Sequence, residues 1–412
     1  LSSSSVTSLP VALEGQDYFV DFNLAQLRVD KIRLLLVNAW EEQNSQKHLE
    51  FKSWCNNQFW LDDHATFMEL RRQNDGLPWW EWPAEFSRYN KKKIKEWSKT
   101  NARELLGHCL IQWHLDRQWQ SLRVLAKELG VFLFGDMPFY VARDSADVWS
   151  NRQLFSVLIN GKTHLQSGVP PDYFSNTGQL WGNPVYRWSR HKSTHYQWWR
   201  NRFARHLDQV DFLRLDHFRA LEAYWAIPGE DKTAENGFWR PSPGLELLKL
   251  IQRDCGNRLP LIAEDLGVIT TAVENLRDYF KLPGMKILQF AFDGNTDNPY
   301  LPGNIIGENW IVYTGTHDNS TTLGWWNSME NNNKEMIKSH FKGIDSPSWE
   351  LIKLGMGTEA KLFVAPIQDL LGLDDSARFN KPGTSQNNWS WRFSDELFRL
   401  EKSLISFGEL SL

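Results

Sequence analysis

The sequence lacks any apolar run long enough to cross a membrane, since a spanning helix needs about 20 consecutive apolar residues. It also lacks a strong charge of one sign, because 46 basic and 50 acidic residues leave a formal net charge of −4. The best basic run, Lys91 to Lys93, is too short for an electrostatic nucleic-acid footprint and is typical of a solvated helix start. Neither nucleic acid nor a membrane is therefore expected as a partner.

Cysteine is scarce as well. The three cysteines, Cys55, Cys109 and Cys255, lie far apart in the chain and show no spacing typical of metal ligands. They are expected to be buried thiols of a reducing compartment rather than a disulfide framework. No signal peptide is visible, so we expect a cytoplasmic protein, with the plastid stroma as the alternative.

Aromatic residues, by contrast, are abundant, with 22 tryptophans, 24 phenylalanines and 10 tyrosines among 412 residues. An indole face suits the apolar C–H face of a sugar ring, and the indole N–H can bond a hydroxyl. Core packing is the alternative explanation, and it is expected to account for most of these tryptophans. The excess therefore favours a sugar ligand only weakly.

Apolar runs alternate with helical patterns over most of the chain. Residues 101–129 are predicted to form one long amphipathic helix that stops at Gly130. Beyond it the order strand, helix, strand repeats, which predicts parallel βα units. The interpretation is a residual N-terminal barrel segment (1–32) with a strand-like piece, DYFVDFNL, then a Trp-rich helical insertion (33–98) and a catalytic barrel (99–412).

Several apolar runs end at their C-terminal edge with a polar or acidic residue. Parallel strands of a closed (β/α)8 barrel direct these ends to one mouth, where barrel enzymes carry their active sites. A helix N-cap would explain one or two such residues, but six favour a site. The six are Asp136, Asp216, Glu264, Gln289, Asp318 and Gln368.

Asp216 ends the run FLRL, in which Arg214 stands two positions before it. Residues two apart on a strand face the same way, so the two side chains should project together. A nearby guanidinium favours the charged form of a carboxylate, and an ionised carboxylate at a barrel mouth can act as a nucleophile. The alternative is a structural Arg–Asp pair that ties a strand end to a loop. The local sequence leaves these two interpretations even.

Two further carboxylates follow later strands. Glu264 comes after apolar residues whose burial would keep a carboxyl protonated, as a general acid requires. The adjacent Asp265 faces the other way and suits a structural helix cap. Asp318 follows His317, and the residues after Asp318, NSTT, make a helix N-cap the alternative for this aspartate.

One ionised and one protonated carboxyl on either side of a sugar bond define glycoside chemistry. If about 5 Å separates the two groups, the reaction retains configuration through a covalent glycosyl-enzyme. A third carboxylate near the ring can stabilise developing positive charge. Sequence spacing alone leaves these distances open.

Seven segments resemble in order the signature blocks of the 4-α-glucanotransferases, also called amylomaltases or disproportionating enzymes, glycoside hydrolase family 77, and the resemblance covers about residues 50–395. The resemblance implies a retaining transglycosylase on a (β/α)8 TIM-type barrel, without a metal or organic cofactor. It implies transfer of an α-1,4-glucan segment to the 4-hydroxyl of glucose or a maltooligosaccharide. The blocks are GDMPFYVARDSADVW, GVPPDYFSNTGQLWGNPVY, RLDHFRALEAYWAIP, LIAEDLGVIT, PGMKILQFAFD, VYTGTHDNSTTLGWW and NKPGTSQNNWSWR.

The resemblance also implies roles for individual residues. The nucleophile of the family falls on Asp216, with its arginine on Arg214, and the acid/base falls on Glu264. The transition-state-stabilising aspartate falls on Asp318. The substrate contacts, which include two residues of a loop that covers the glucan in the family (Tyr173 and Phe174), fall on Asp136, Tyr173, Phe174, Trp181, Arg214, His317 and Asn380.

The chain departs from the family at its N-terminus. The first two barrel strands, with a loop that helps to bind the acceptor, have no counterpart, and six barrel runs are visible where about eight are needed. We therefore expect a fragment of a longer gene product that has the catalytic carboxylates but not the acceptor side. An α-glucan hydrolase and a truncated, non-catalytic glucan-binding protein are the alternative functions.

Overall fold

The computed structural model describes residue 9 and residues 19–171, 175–341, 346–384, 386–393 and 397–410. The described chain divides into two compact units. Residues 26–261 form the first unit, and residues 19–25 together with 262–410 form the second. The three-part division expected from the sequence stays a prediction.

Helices fill the N-terminal part of the described chain. The strand-like piece expected in DYFVDFNL is confirmed only at Phe19, which forms an isolated antiparallel β-bridge with Trp391, whereas a helix begins at Phe22. The carboxylate of Asp21 accepts the N–H groups of Asn23 and Leu24, both at 3.0 Å, and so satisfies donors that a first helical turn leaves unpaired. The helices are α1 (Phe22–Trp40), α2 (Ser45–Asn56), α3 (Leu61–Gln73), α4 (Ala84–Ser87), α5 (Lys91–Thr100) and α6 (Ala102–Glu128).

Helix α6 is the long amphipathic helix that the sequence predicts, and its bounds confirm that prediction. Its inner face packs Leu110 and Trp113 against Val37 and Trp40 of α1 in one apolar cluster. The helix stops before Gly130, whose φ of +71° lies in the left-handed region that favours glycine.

A buried carboxylate links three of these helices. Glu69 of α3 is fully buried and accepts hydrogen bonds from Arg72 (2.6 and 2.9 Å) and Gln73, while His108 of α6 lies 3.1 Å away and Arg33 of α1 3.7 Å away. Burial alone would raise the pKa, but the hydrogen bonds from His108, Arg72 and Gln73 lower the pKa of Glu69 to about 2. Since a buried charge without partners is strongly destabilising, this network favours a single packing of α1, α3 and α6.

Beyond α6, short strands and helices alternate, as the sequence predicts. The strands are β1 (Phe134–Met137), β2 (Leu165–Val169), β3 (Gln179–Pro184), β4 (Phe212–Leu215), β5 (Ala223–Pro228), β6 (Phe238–Pro241), β7 (Leu261–Ala263), β8 (Gly284–Ile287), β9 (Trp310–Tyr313) and β10 (Leu362–Val364). The helices are α7 (Ala146–Ser150), α8 (Trp188–Ser193), α9 (Gln197–Leu207), α10 (Gly244–Asp254), α11 (Thr271–Tyr279), α12 (Thr322–Ser328), α13 (Asn331–Lys338), α14 (Pro347–Met356), α15 (Ile367–Leu370) and α16 (Leu397–Leu410).

Parallel pairing joins the strands that the sequence predicts for a barrel. In the first unit β1 pairs in parallel with β4, which sets Asp136 opposite Arg214. The N–H of Leu213 donates to the carbonyl of Pro260, just ahead of β7, at 2.9 Å. In the second unit β9 lies between β8 and β10 and is parallel to both. The strands of these two groups coincide with the six predicted apolar runs.

The sequence-based prediction misses an antiparallel sheet in the first unit. Its strands occur in the order β3-β2-β5-β6 and belong to the connections that follow β1 and β4. They are short and are interrupted by Gly and Pro, and their register shifts between Gln166 and Gly168. Such features weaken the alternation from which a strand is predicted.

Aromatic rings pack behind the segment that follows β1. The Phe139 ring lies 5.3 Å from the Trp199 ring and 5.5 Å from the Tyr186 ring. The carbonyl of Phe139 accepts hydrogen bonds from the Tyr186 hydroxyl at 2.6 Å and from Arg202 at 3.0 Å. These contacts hold the backbone just beyond Asp136, so here the tryptophan excess fills a core.

His191 of α8 is fully buried in the same cluster, with its ring 5.4 Å from Tyr186 and 5.5 Å from Trp188. Burial lowers the pKa of His191 to about 4. An unfolded chain takes up this proton near pH 6.5, so the folded state loses stability as the pH falls from about 6.5 to about 4. We expect His191→Leu to remove this loss. The unfolding free energy of the wild type minus that of the variant should therefore decrease by about 1.4 kcal/mol for each unit by which the pH is lowered in that range.

Urea unfolding at several pH values between about 7 and 5 measures this difference. His164→Leu, which removes an exposed imidazole, is the matched control. A constant difference for His191→Leu would contradict a neutral, buried His191.

Candidate active site

A buried guanidinium joins two carboxylates at the ends of β1 and β4. Arg214 Nη1 lies 2.8 Å from both oxygens of Asp136, and Nη2 lies 2.9 Å from Oδ1 of Asp216. The Arg214 side chain is only 8% exposed, whereas each carboxylate side chain is 41% exposed. One buried cation therefore orients two carboxylates that are open to solvent.

The strand geometry explains this grouping. The N–H of Asp216 donates to the carbonyl of Met137 at 3.0 Å, which extends the parallel ladder by one residue. Asp216 and Arg214 thus leave the strand on the same side, and the projection expected from their spacing is confirmed. A pair that only ties a strand to a loop has no need of open carboxylates, so the exposure of Asp216 favours a reactive group.

The residue after Asp216 adopts a left-handed backbone conformation. His217 has a φ of 52°, which is uncommon for a residue with a side chain. Its ring meets the Trp181 ring edge-on at 4.8 Å. Burial, reinforced by the nearby charge of Arg219, lowers the pKa of His217 to about 3. The ring is therefore neutral at physiological pH. Together with the Trp181 ring it forms an aromatic surface next to Asp216.

The substrate-contact candidates of the β2–β3 region divide into two kinds. Trp181 lies on β3, is 38% exposed, and donates its indole N–H to the side-chain oxygen of Gln179 at 3.2 Å. Its ring also lies 6.2 Å from the ring of Tyr140, a residue that the sequence reasoning does not single out. Tyr173 and Phe174 lie outside the described residues, so their predicted role stays a prediction.

Glu264 directly follows β7 in the second unit and is 9% exposed. Its carboxylate accepts the N–H of Leu266 at 3.0 Å. The adjacent Asp265 has a different task, since it accepts from Arg277 at 2.5 Å and from the N–H of Met285 at 2.8 Å. The expected helix-cap role of Asp265 is wrong, because α11 begins well after it. Asp265 instead ties α11 to β8, which leaves Glu264 as the candidate acid of this pair.

Asp318 follows β9 and is held from two sides. Its Oδ1 accepts from the side-chain amide of Asn380 at 2.6 Å, and its Oδ2 lies 3.5 Å from His317 Nε2. The alternative that Asp318 caps the next helix is wrong. Helix α12 is capped by Thr321, whose hydroxyl accepts the N–H of Gly324. The carboxylate of Asp318 is thus oriented without serving as a helix cap.

Arg378, which the sequence reasoning does not single out, joins the loops that carry Asp318 and Asn380. Its three nitrogens donate to the carbonyl of Asp318 at 2.7 Å, to the hydroxyl of Ser320 at 3.0 Å and to the carbonyl of Asn380 at 2.8 Å. A planar guanidinium with several fixed donors suits such a task. In the sequence, only the position of Arg378 two residues before Asn380 points to this role. An arginine at that position could equally be a solvated surface residue.

The side-chain amides of two of the six predicted strand-end residues bind loop carbonyls. Gln289 lies in a 3₁₀ turn after β8, and its amide donates to the carbonyl of Ser320 at 2.9 Å. Gln368 lies on α15 instead of at the end of β10, and its amide donates to the carbonyl of Ala377 at 3.1 Å. Gln289 therefore stays at the end of β8, where its N–H donates to the carbonyl of Thr314 just beyond β9, whereas for Gln368 the expected strand-end placement is corrected.

The candidate residues divide between the two units. The structure brings Asp136, Arg214 and Asp216 together in the first unit, with Trp181 beside His217. It brings His317, Asp318 and Asn380 together in the second unit, to which Glu264 also belongs. That Asp216 and Glu264 face each other across a sugar-sized gap stays a prediction.

Among the described residues, no group of three or more His, Cys, Asp and Glu side chains is arranged to hold a metal ion. The three cysteines are free thiols, and each is half-buried where the sequence predicts a buried side chain. Partial burial raises the pKa of Cys55 to about 11 and that of Cys109 to about 12. Over the same described ranges, no helix is long and apolar enough to cross a membrane.

Comparison with known proteins gives consistent matches. The family model described as 4-alpha-glucanotransferase, glycoside hydrolase family 77, matches residues 7–398. A 4-alpha-glucanotransferase from Synechocystis sp. is 44% identical over 348 residues, which is 84% of this chain and 69% of the relative. One from Thermus thermophilus is also 44% identical, over 81% of this chain and 68% of the relative.

A chloroplastic/amyloplastic 4-alpha-glucanotransferase from Oryza sativa subsp. japonica is 39% identical over 98% of this chain and 66% of its own length. The chain thus spans about two thirds of the length of these relatives. Among solved structures, the amylomaltase from Streptococcus agalactiae in complex with acarbose is similar, with a TM-score of 0.90 and 29% identity over 99% of this chain and 83% of that one. This likeness confirms the predicted fold class.

Proposed function

Because the chain belongs to the 4-alpha-glucanotransferase family, glycoside hydrolase family 77, we propose that it is a retaining transglycosylase. It moves α-1,4-glucan segments from a donor to the 4-hydroxyl of glucose or a maltooligosaccharide. The acarbose complex of the similar amylomaltase supports a glucan-like ligand. The observation that carries the proposal is the buried Arg214, which holds two solvent-open carboxylates at the ends of adjacent parallel strands.

The first step forms a covalent intermediate. A carboxylate oxygen of Asp216 attacks the anomeric carbon of the donor, and the bond from that carbon to the leaving oxygen breaks. Glu264 gives its proton to the departing oxygen, so the leaving segment departs as an alcohol. The result is a glycosyl ester on Asp216, a released glucan with a new 4-hydroxyl, and an ionised Glu264.

The second step reverses these roles. Ionised Glu264 takes the proton from the 4-hydroxyl of the acceptor, whose oxygen attacks the anomeric carbon and displaces Asp216. Each step inverts the configuration at that carbon, so the two together retain it. Both carboxyl groups return to their initial protonation states, and no external reagent is consumed.

The remaining candidates orient the sugar and its charge. Asp318 is proposed to stabilise the positive charge that develops at the ring, because Asn380 and Arg378 fix the loop and the carboxylate. His317 and Asn380 are proposed to contact the donor sugar beside it. Asp136 shares the guanidinium of Arg214 with the nucleophile and is proposed to accept from sugar hydroxyls.

Transfer requires a sugar hydroxyl to react in preference to water. Trp181, together with Tyr173 and Phe174, is proposed to cover the bound glucan and to exclude water from the glycosyl ester. The partly exposed Trp181 ring, held against His217, offers an apolar plane for this purpose. Covering the ester in this way favours transfer over hydrolysis.

Incubation with maltotriose alone tests the reaction. We expect glucose together with oligosaccharides longer than the substrate, while the total number of reducing ends stays constant, because transfer conserves the number of glycosidic bonds. Chromatography of the products and a reducing-end assay measure the two quantities. A net rise in reducing ends would identify the hydrolase alternative, and glucan binding without any product would identify the non-catalytic alternative.

The location of the protein is proposed from its relatives. They include bacterial proteins and plant proteins named as chloroplastic/amyloplastic, so we propose the cytoplasm, with the plastid stroma as the alternative. Fractionation of source cells with an antibody against this chain decides between the two, and recovery in a membrane or secreted fraction would contradict both.

A further inference from the structure

Strand β6 is an edge strand whose four residues, Phe238 to Pro241, are all exposed. It ends the antiparallel sheet of the first unit, next to β5. Phe238 is 45% exposed and Trp239 is 40% exposed. Neighbouring residues of a strand point to opposite faces of the sheet, so each face of this edge carries one open aromatic ring.

The two rings differ in their support, because only Trp239 rests on a buried cation. The guanidinium carbon of Arg219 lies 3.8 Å from the centre of the Trp239 ring, and Arg219 itself is 7% exposed. Trp225, the direct cross-strand partner of Trp239, meets its ring edge-on at 5.2 Å. Cation–π and edge-to-face contacts of this kind fix the plane of the indole. Trp239 therefore presents a rigid, preformed surface.

The indole N–H groups of this aromatic pair are used differently. The N–H of Trp225 donates to the carbonyl of Ala234 at 2.9 Å, so Trp225 is part of the packing. Within the part of the chain that the structure describes, the N–H of Trp239 makes no hydrogen bond. Trp239 thus combines an open apolar plane with an available donor at its edge. A pyranose ring offers the matching features, an apolar C–H face ringed by hydroxyls.

We propose that Trp239 is a surface subsite for an α-glucan chain, outside the candidate active site. The identity of the occupant rests on the proposed function, which supplies a polymeric neutral substrate. Arg219, which supports the ring, lies three residues after Asp216, so the subsite is built on the turn that follows the nucleophile. A long glucan is held by both places at once, whereas a short oligosaccharide occupies only one of them.

The edge of β6 argues against a protein strand as the occupant. An added strand needs a row of backbone donors and acceptors, but Pro241 has no N–H and Arg240 places a charge on this edge. A stacked sugar needs none of these backbone groups. The side chains of β6 therefore favour a carbohydrate over strand addition by another chain.

Trp239→Ala and Phe238→Ala form a matched pair, since both remove an exposed aromatic ring from the same strand. We expect Trp239→Ala to weaken binding to long-chain amylose by about 3- to 10-fold, the range expected for one lost aromatic contact. Phe238→Ala should bind as the wild type does. Retardation in native gels containing graded amounts of amylose measures the dissociation constants. Trp239→Tyr, which keeps a ring, should retain most of the affinity and guards against a folding defect in the alanine variant.

Equal retardation of the alanine variants would overturn the proposal, and so would a wild type that amylose does not retard. A concentration-dependent dimer that Trp239→Ala abolishes would also overturn it, because the ring would then serve an interface between copies. Retardation reports binding rather than turnover. Suppose that Trp239→Ala loses retardation and that the wild type forms no products from maltotriose. This combination would support the subsite and would count only against the proposed function.

Discussion

Asp216→Asn is expected to lower transfer from maltotriose by on the order of 10⁴-fold or more while the protein stays folded. An amide oxygen cannot form the glycosyl ester, so the first chemical step is lost. The shape of the side chain is kept, and the oxygen that lies 2.9 Å from Arg214 can still accept its hydrogen bond. Arg214 also retains Asp136 as a charged partner, so the guanidinium is not left without a counter-ion.

Asp136→Asn is the matched control for this experiment. Asp136 shares the same guanidinium and has the same 41% side-chain exposure as Asp216, so its replacement removes the same charge from the same cation. If Asp216 is the nucleophile, Asp136→Asn should cost far less, about 10- to 100-fold, through weaker sugar binding and a less well-oriented Arg214. Initial rates of glucose release measure both variants, and thermal melts check their folding. Comparable losses would contradict the assignment of Asp216 and support a purely electrostatic role for the pair.

Glu264→Gln is expected to lower transfer from maltotriose by about 10²- to 10⁴-fold, because glutamine cannot donate a proton to the leaving oxygen. An α-glucosyl fluoride donor needs little protonation of its leaving group, so formation of the glycosyl ester should be much less affected with that donor. Azide, which attacks without losing a proton, should then restore turnover of the fluoride. Steady-state rates with both donors, with and without azide, measure these effects. Equal losses on both donors without azide rescue would contradict the acid/base role.

Asp265→Asn separates this role from a structural effect at the adjacent residue. Asp265 is buried between Arg277 and the N–H of Met285, so its replacement removes the buried carboxylate from that guanidinium and leaves only the exposed Asp278 as its charged partner. We expect a loss of about 3 kcal/mol in unfolding free energy and no change in the ratio of rates for the two donors. Selectivity for the activated donor should therefore distinguish Glu264 from its neighbour.

Much of the fold follows from short-range pattern. The positions of the six predicted strands, the bounds of α6 and the shared projection of Arg214 and Asp216 are confirmed, since each depends on residues close together in the chain. The strand-like piece expected before residue 22 is reduced to a single β-bridge at Phe19, because Asp21 caps a helix directly after it. The antiparallel sheet is missed because its strands are short and irregular.

The functions of single polar residues are less accessible to sequence reasoning. Asp265 and Asp318 are both acidic residues after a strand, yet one ties α11 to β8 and the other is oriented by Asn380. Arg378 carries no motif of its own, although its hydrogen bonds hold the loops of two candidate residues. The assigned catalytic roles stay predictions that the variants above test.

The sequence by itself determined the order of strands and helices, the family, and which carboxylates follow parallel strands. Only the tertiary structure decided which partners those groups have: that Arg214 binds Asp136 from 78 positions away, and that Arg219 supports Trp239. The physical reason is one of range. Strand alternation, helix periodicity and capping depend on neighbours along the chain, whereas the choice of a hydrogen-bond or stacking partner depends on strand register and on packing that brings distant segments together.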